Sequence, residues 1–205
     1  MAWQCSGTSN LELVNNLRKA GIITSQRIAD AMKATDRKFY VRAGTDAYED
    51  SPQVIGFGAT ISAPHMHAHA LEHVFPYLKP GASVLDVGIG IDHIKNLTEM
   101  SESNLRADKH GSVLASGAIQ IVTGDGRKGF SPGAPYDVIH VGAASPTMPQ
   151  SLLQQLKAPG RMFVPVGTQT QDVWCVDKDR QGEVKMQKLV RYVPLTDAPD
   201  QVHVP

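Results

Sequence analysis

The sequence predicts an α/β domain built on a mostly parallel sheet, finished by an antiparallel hairpin. Three observations carry this. After Lys79-Pro80-Gly81, short apolar runs recur (VLDV, IQIV, VIHV and FVPV), each ending in Gly or Asp-Gly, the pattern of buried strands closed by turns. Helical segments lie between several of them, so the connections suit crossovers between parallel neighbours. The last runs, VWCVD and VKMQKLVRYV, are joined only by the Gly-containing DRQGE, which is hairpin spacing.

The elements follow in order. Ser9-Asn10 precedes a helical period of Leu11, Val14 and Leu17 closed by Gly21, and Thr24-Ser25 precedes a second of Ile28, Ala29 and Met32, so the chain opens with a helical pair. From Arg42 to Phe57 the segment is rich in Gly, Pro and Asp without a sustained period and reads as an extended loop covering another part of the molecule. A helix follows near Ala63 to Val74, with Ser62 as its N-cap ahead of Pro64. Lys95 to Leu105 and Pro149 to Leu156 read as helices, the latter closed by Pro159-Gly160.

One domain over 1–205 accommodates these elements, with the helical pair and loop in 1–58, the sheet and helices in 59–168, and the hairpin and tail in 169–205. With 205 residues, 41% of them hydrophobic, a sizeable core can form. Twenty Lys and Arg balance twenty Asp and Glu, so bulk charge selects neither nucleic acid nor a membrane surface. Two cysteines, Cys5 and Cys175, cannot make a disulfide framework or a Cys-rich zinc site. The polar start lacks the features of a secretory signal, and no apolar run reaches the ~18 residues of a membrane span. An intracellular soluble protein is the expectation.

In open parallel sheets ligands sit beyond the carboxyl ends of the strands. The residues there are Asp86, Gly88, Asp92, Gly124-Asp125-Gly126 and His140-Val141-Gly142. Asp92 is placed to accept from ribose hydroxyls and Asp125 to meet an adenine amino group. Each alone is also an ordinary strand-end turn, as is Thr196 after the last strand, and Ser62 alone reads as a helix cap.

Together, ATISAPHMHA, VLDVG, GIDHIK, GDGRKGFSPGAPYDVIHVGAASP, PVG and YVPLTD closely resemble the protein L-isoaspartyl (D-aspartyl) O-methyltransferase family, over nearly the whole chain. The resemblance implies a class I S-adenosylmethionine-dependent methyltransferase fold, Rossmann-like with seven strands and a C-terminal antiparallel hairpin. It also implies S-adenosylmethionine as cofactor, damaged proteins and peptides bearing isoaspartyl or D-aspartyl residues as substrates, and a cytosolic monomer engaged in protein repair. Residue by residue, the family's catalytic serine matches Ser62, within a cofactor- and substrate-facing stretch of Ala59, Thr60, Ile61 and Ser62, with His67 nearby. Asp92 matches the ribose-binding acid, Asp125 and Gly126 the adenine-side pair, and Thr196 a further cofactor-side position. Asp86 and Gly88 stand at the end of the first cofactor-side strand.

There the chain departs from its family. The family's strand continues into Ser-Gly-Ser-Gly, a helix and a connection before Gly-Ile-Asp; here Gly88 runs at once into Ile89-Gly90-Ile91-Asp92, as if one crossover were excised. Parallel neighbours need a connection of about a dozen residues. The VLDV and GI segments should therefore merge, or one should leave the sheet, and the cofactor should bind weakly or not at all. A further shortening precedes YVPLTD. Two other readings remain: a non-catalytic variant that binds isoaspartyl peptides or other proteins, and a metal-dependent hydrolase using His65, His67, His69 and His73, where His69 and His73 are spaced i, i+4.

Overall fold

A computed structural model of the chain describes residues 5–192. Helices α1 (Asn10–Lys19) and α2 (Gln26–Ala34) are capped by Ser9 and Ser25, whose side chains accept from the amides of Glu12 and Ile28. Leu13, Val14 and Leu17 of α1 and Ile28 and Ala29 of α2 pack with Ala68 of α3 (Pro64–Val74) in one buried cluster. Glu72 of α3 accepts from the amides of Thr24 and Ser25, each at 2.9 Å, and ties the pair to the body.

The loop expected over 42–57 holds a short strand, β1 (Gln53–Gly56), which pairs antiparallel with β2 (Ala59–Ile61) just beyond it. Strands of four and three residues are too short to show alternation, which is why periodicity missed them.

The central sheet comprises β3 (Val84–Val87), β4 (Ile91–Asp92), β5 (Val122–Thr123), β6 (Tyr136–Val141), β7 (Leu156–Gly167), β8 (Gln171–Lys178) and β9 (Val184–Tyr192), in the order β5-β4-β3-β6-β7-β8-β9. It is parallel from β5 to β7 and antiparallel through β8 and β9, with α4 (Lys95–Ala107) and α5 (Gly111–Ala115) connecting β4 to β5. Adjacent residues of β6 are buried on opposite faces: Val138 with Ala70 and Val74 of α3, Ile139 with Leu152 of α6 (Gln150–Gln155). Burying each such aliphatic side chain contributes about 1.5–3 kcal/mol, which makes β6 the anchor of both layers. The α6 helix ends at Gln155 and β7 begins directly at Leu156, earlier than the Pro159-Gly160 stop.

The excised crossover leaves a different mark from the one expected. The two segments neither merge nor separate: β4 survives as a two-residue stub paired in parallel with β3 through Val87 and Ile91. Strand β5 is likewise only two residues, Val122 and Thr123, the first of them the last residue of the IQIV run. Below the stub a cavity of about 270 Å³ lies between Val84 to Asp86 and Gln120 to Val122, and Val84 is 46% exposed.

Candidate active site

Above the stub, at the carboxyl ends of β3 and β4, a cavity of about 450 Å³ opens between the β1–β2 hairpin, the start of α3 and α4 (Lys95–Ala107). Its size falls in the range of small-molecule and cofactor sites. Ala59, Thr60, Ile61, Ser62, His67, Asp86, Gly88 and Asp92, eight of the positions singled out in the sequence, line it together.

Strand β2 delivers Ala59 to Ile61 and leads into Ser62. The expected cap role of Ser62 is not observed: the N-cap of α3 is Ala63, and no side chain caps the helix there. Asp50 serves that end instead, accepting from the His65 amide and meeting its Nδ1, both at 2.9 Å. The Ser62 hydroxyl is thus left to the cavity.

The shortened turn is organised by Asp86. Its Oδ1 accepts from the amides of Ile89 at 2.9 Å and Gly90 at 3.4 Å, and its Oδ2 lies 2.7 Å from Nδ1 of His140 on β6. Gly88 adopts φ +133°, a conformation open to glycine, and its amide donates to the Ile91 carbonyl at 3.0 Å. Burial alone would raise the Asp86 pKa, but the charge and hydrogen bond of His140 and the two turn amides outweigh it and hold the carboxyl below the usual range. Burial would lower the His140 pKa, but Asp86 outweighs it and holds the ring above 6.5. The His140 ring stacks on Phe163, centroids 5.9 Å apart.

His67 has the opposite character. Burial, then the charges of Arg37 and His140, push its pKa down to about 4, so it is neutral near pH 7. Its Nε2 is buried without a hydrogen-bond partner among the described residues.

The stub returns Asp92 to the cavity wall. Asp92 Oδ1 accepts from the Ile94 amide at 2.8 Å, which orients the carboxylate and leaves Oδ2 without a partner among the described residues. Asp125 and Gly126 are not brought to this wall. Arg127 engages both Asp125 oxygens, at 2.8 and 2.9 Å, and pushes the carboxyl down to about 2; a Cβ at Gly126 would stand 2.5 Å from Val87 Cγ1. Thr196 lies outside the described residues.

The lining also includes Tyr40, Phe57 and His140. Phe57 closes the segment without a period and Tyr40 stands just before it, so no pattern marked either. His140 stood among the strand-end residues of the sequence, but its partner Asp86 is 54 positions away and nothing local joins them.

Among the described residues no group of three or more His, Cys, Asp or Glu is arranged to hold a metal ion. His65 is paired with Asp50, and His73 Nδ1 lies 2.7 Å from the His69 carbonyl. The hydrolase alternative finds no support in this geometry. No helix of the described residues is long and apolar enough to cross a membrane.

Comparison with known proteins agrees with the geometry. A family model described as Protein-L-isoaspartate(D-aspartate) O-methyltransferase (PCMT) matches residues 8–90 and 88–200, in two segments that meet at the shortened turn. The chain is 43% identical to protein-L-isoaspartate O-methyltransferase 2 of Arabidopsis thaliana over 212 residues, covering 93% of this chain and 69% of that protein. It is 44% identical to the Caenorhabditis elegans protein-L-isoaspartate O-methyltransferase over 227 residues, covering 98% of each. That alignment is longer than this 205-residue chain, so the relative carries residues that this chain lacks. Among solved structures, a Plasmodium falciparum protein assigned to the same enzyme class, in complex with S-adenosyl-L-homocysteine, superposes with a TM-score of 0.82 at 27% identity, covering 91% of this chain and 98% of that one. Whole-chain likeness and two matched segments converge: the chain belongs to the protein-L-isoaspartate (D-aspartate) O-methyltransferase family.

Proposed function

We propose that this chain transfers a methyl group from S-adenosylmethionine to the free carboxylate of isoaspartyl and D-aspartyl residues in damaged proteins, as a step of protein repair. The observation that carries the proposal is the return of Asp92 to the wall of the cavity that Ser62 also lines, despite the shortened turn. At the nucleoside end of the cofactor Asp92 fits, while Asp125 and Gly126 stand off the cavity wall. Asp92 would hold the ribose diol, and Asp125, released from Arg127, would meet the adenine with Gly126; Thr196 is a further candidate. At the amino-acid end the fit is poorer, because the amides of Ile89 and Gly90 already serve Asp86.

The bound cofactor supplies an electrophilic methyl group. The substrate needs no general base: an isoaspartyl residue exposes a main-chain carboxylate with a reference pKa of about 3.3–3.7, ionised at pH 7. The chain's own task is to align that anion and to exclude water around it. Ser62 orients the carboxylate through a hydrogen bond and forms no covalent intermediate. Its neighbours lack the Gly-x-Ser-x-Gly elbow of an acyl-enzyme, and the nearby His67, neutral and buried, is placed to shape the cavity rather than to shuttle protons. The methyl ester product then closes to a succinimide as the adjacent backbone nitrogen attacks the ester carbonyl and methanol leaves with the amide proton, without help from the protein. Action as a monomer in the cytosol completes the reading.

Calorimetric titration with S-adenosyl-L-homocysteine, with Asp92→Ala as control, tests it. Binding that weakens by about tenfold or more in the variant, together with methylation of an isoaspartyl peptide, is the expected result. No cofactor binding by a cooperatively folded chain would overturn the enzymatic reading and leave the peptide-binding alternative.

A further inference from the structure

Beside the main cavity lies a pocket of about 20 Å³ shared by Ser62, His67, His140 and Phe163. A volume near 10–15 Å³ suffices for one water molecule, so it holds one oxygen atom and little else. We propose that this pocket is the subsite for one oxygen of the substrate carboxylate and that His140 is its anchor, donating from Nε2 alongside the Ser62 hydroxyl. This rests on the methyltransferase reading above for the substrate's identity, but not for its chemistry, which is that of a carboxylate.

The geometry fixes what His140 can offer. Nδ1 is committed to Asp86 at 2.7 Å, and Phe163 stacks on the ring, so the ring is held with its other nitrogen available. When the ring is protonated, Nε2 is a charge-assisted donor. When it loses a proton, Asp86 retains the one on Nδ1 and Nε2 becomes an acceptor, which repels a carboxylate. The pair Asp86 and His140 is neutral as a whole in the donor state, so it attracts the carboxylate without opposing a sulfonium nearby.

The charged and titratable groups around His140 are Asp86 on β3 and His67 on α3, with Arg37 acting on His67 and His73 lying beyond Phe163. Asp86 is the group that holds the ring protonated above pH 6.5. His67, held near a pKa of about 4, adds no charge in that range.

Binding of an isoaspartyl peptide to the full chain is measured by calorimetry between pH 6 and 9, while the His140 ring signals are followed by NMR. Peptide affinity is expected to fall as pH rises through the His140 pKa, and peptide binding to raise that pKa. His140→Asn keeps an amide nitrogen where Nδ1 meets Asp86 but has nothing at Nε2. It should weaken peptide binding by about tenfold or more, flatten the pH dependence, and change S-adenosyl-L-homocysteine affinity far less. Asp86→Asn should move the transition to lower pH, which a purely structural role would not do. Unchanged peptide affinity and pH profile in a folded His140→Asn overturn the subsite. Acetate is the independent probe: if the peptide fails to bind but acetate still raises the His140 pKa, the carboxylate subsite stands and the isoaspartyl reading falls. If neither perturbs His140, the subsite falls.

Discussion

Val87 and Ile91 lie opposite one another in parallel register with only three residues between them. Parallel neighbours ordinarily need a crossover of about a dozen residues, because the chain must return to the start of the sheet before running forward again. Here it does not return. Gly88 turns the chain at the top of β3, Ile89 and Gly90 carry it back by one step, and β4 runs forward for two residues only. The sheet keeps the ligand-facing ends of its strands and loses the part below, where the cavity beside Val84 lies. The cavity lining at the upper end is thus held over a short stub, and the turn above it rests on Asp86, which accepts from the amides of Ile89 and Gly90.

The turn itself is the first point of test. A Cβ at Gly90 would stand 2.8 Å from the Asp86 carbonyl oxygen, a backbone atom that cannot step aside without loosening the stub. Gly90→Ala should destabilise the fold by about 1–3 kcal/mol and weaken S-adenosyl-L-homocysteine binding, since Asp92 lies two residues on. Urea unfolding and calorimetry on the same preparation check both; wild-type values for each would mean that the stub is not held as the register implies.

How far the sequence foresaw this depends on the range of the interaction. Helices α1, α2, α3, α4 and α6 and strands β3 and β6 to β9 are written locally, in caps such as Ser9 and Ser25 and in runs such as VIHV. The gathering of Ala59 to Ser62, Asp86 and Asp92 at one sheet end follows from strand direction, so it too was readable. What was hidden depends on distant partners. Asp50 serves the α3 amide of His65 from 15 residues away, so Ser62 looked like the cap. Asp86 reaches the Ile89 and Gly90 amides only because the turn folds back, so the stub looked impossible.

Ser62 and Asp50 make a contrasting pair of substitutions. Ser62→Ala should leave stability within about 0.5 kcal/mol of wild type, because the hydroxyl does not cap α3, while turnover drops by about tenfold or more through the lost bond to a charged group. Asp50 is buried at 1% exposure and sits near Arg37, whose guanidinium burial brings down to about 10 against the pull of Asp50. Asp50→Ala removes the acceptor of the His65 amide and ring and should cost about 1–3 kcal/mol. Thermal and urea unfolding beside steady-state kinetics separates the two; equal, large losses of turnover and cofactor affinity in Ser62→Ala would contradict its role as an orienter.

Metal removal should change nothing. Chelation of protein purified without a histidine tag is expected to leave both melting temperature and methylation unaltered, since His65 and His73 already have partners in Asp50 and the His69 carbonyl. A stoichiometric metal, or a melting temperature that falls on chelation, would reopen the hydrolase alternative.

His67 sets the acid side of the stability profile. Its ring ionises near 6.5 when unfolded but only near about 4 in the native chain, held down first by burial and then by Arg37 and His140. Between those values the unfolded state binds a proton that the native state refuses. Stability therefore rises with pH across that window and is lost as pH falls from about 6.5 toward 4. Carboxylates titrate in part of the same range, so the informative quantity is the difference between wild type and His67→Gln, which carries no ionisable ring. Urea unfolding at half-unit steps from pH 4 to 7 should show a steeper slope in the wild type, with the two curves parallel above pH 7. Parallel curves throughout would mean that the His67 ring is solvated enough to protonate in the native chain, and that its Nε2 is not sealed away from water.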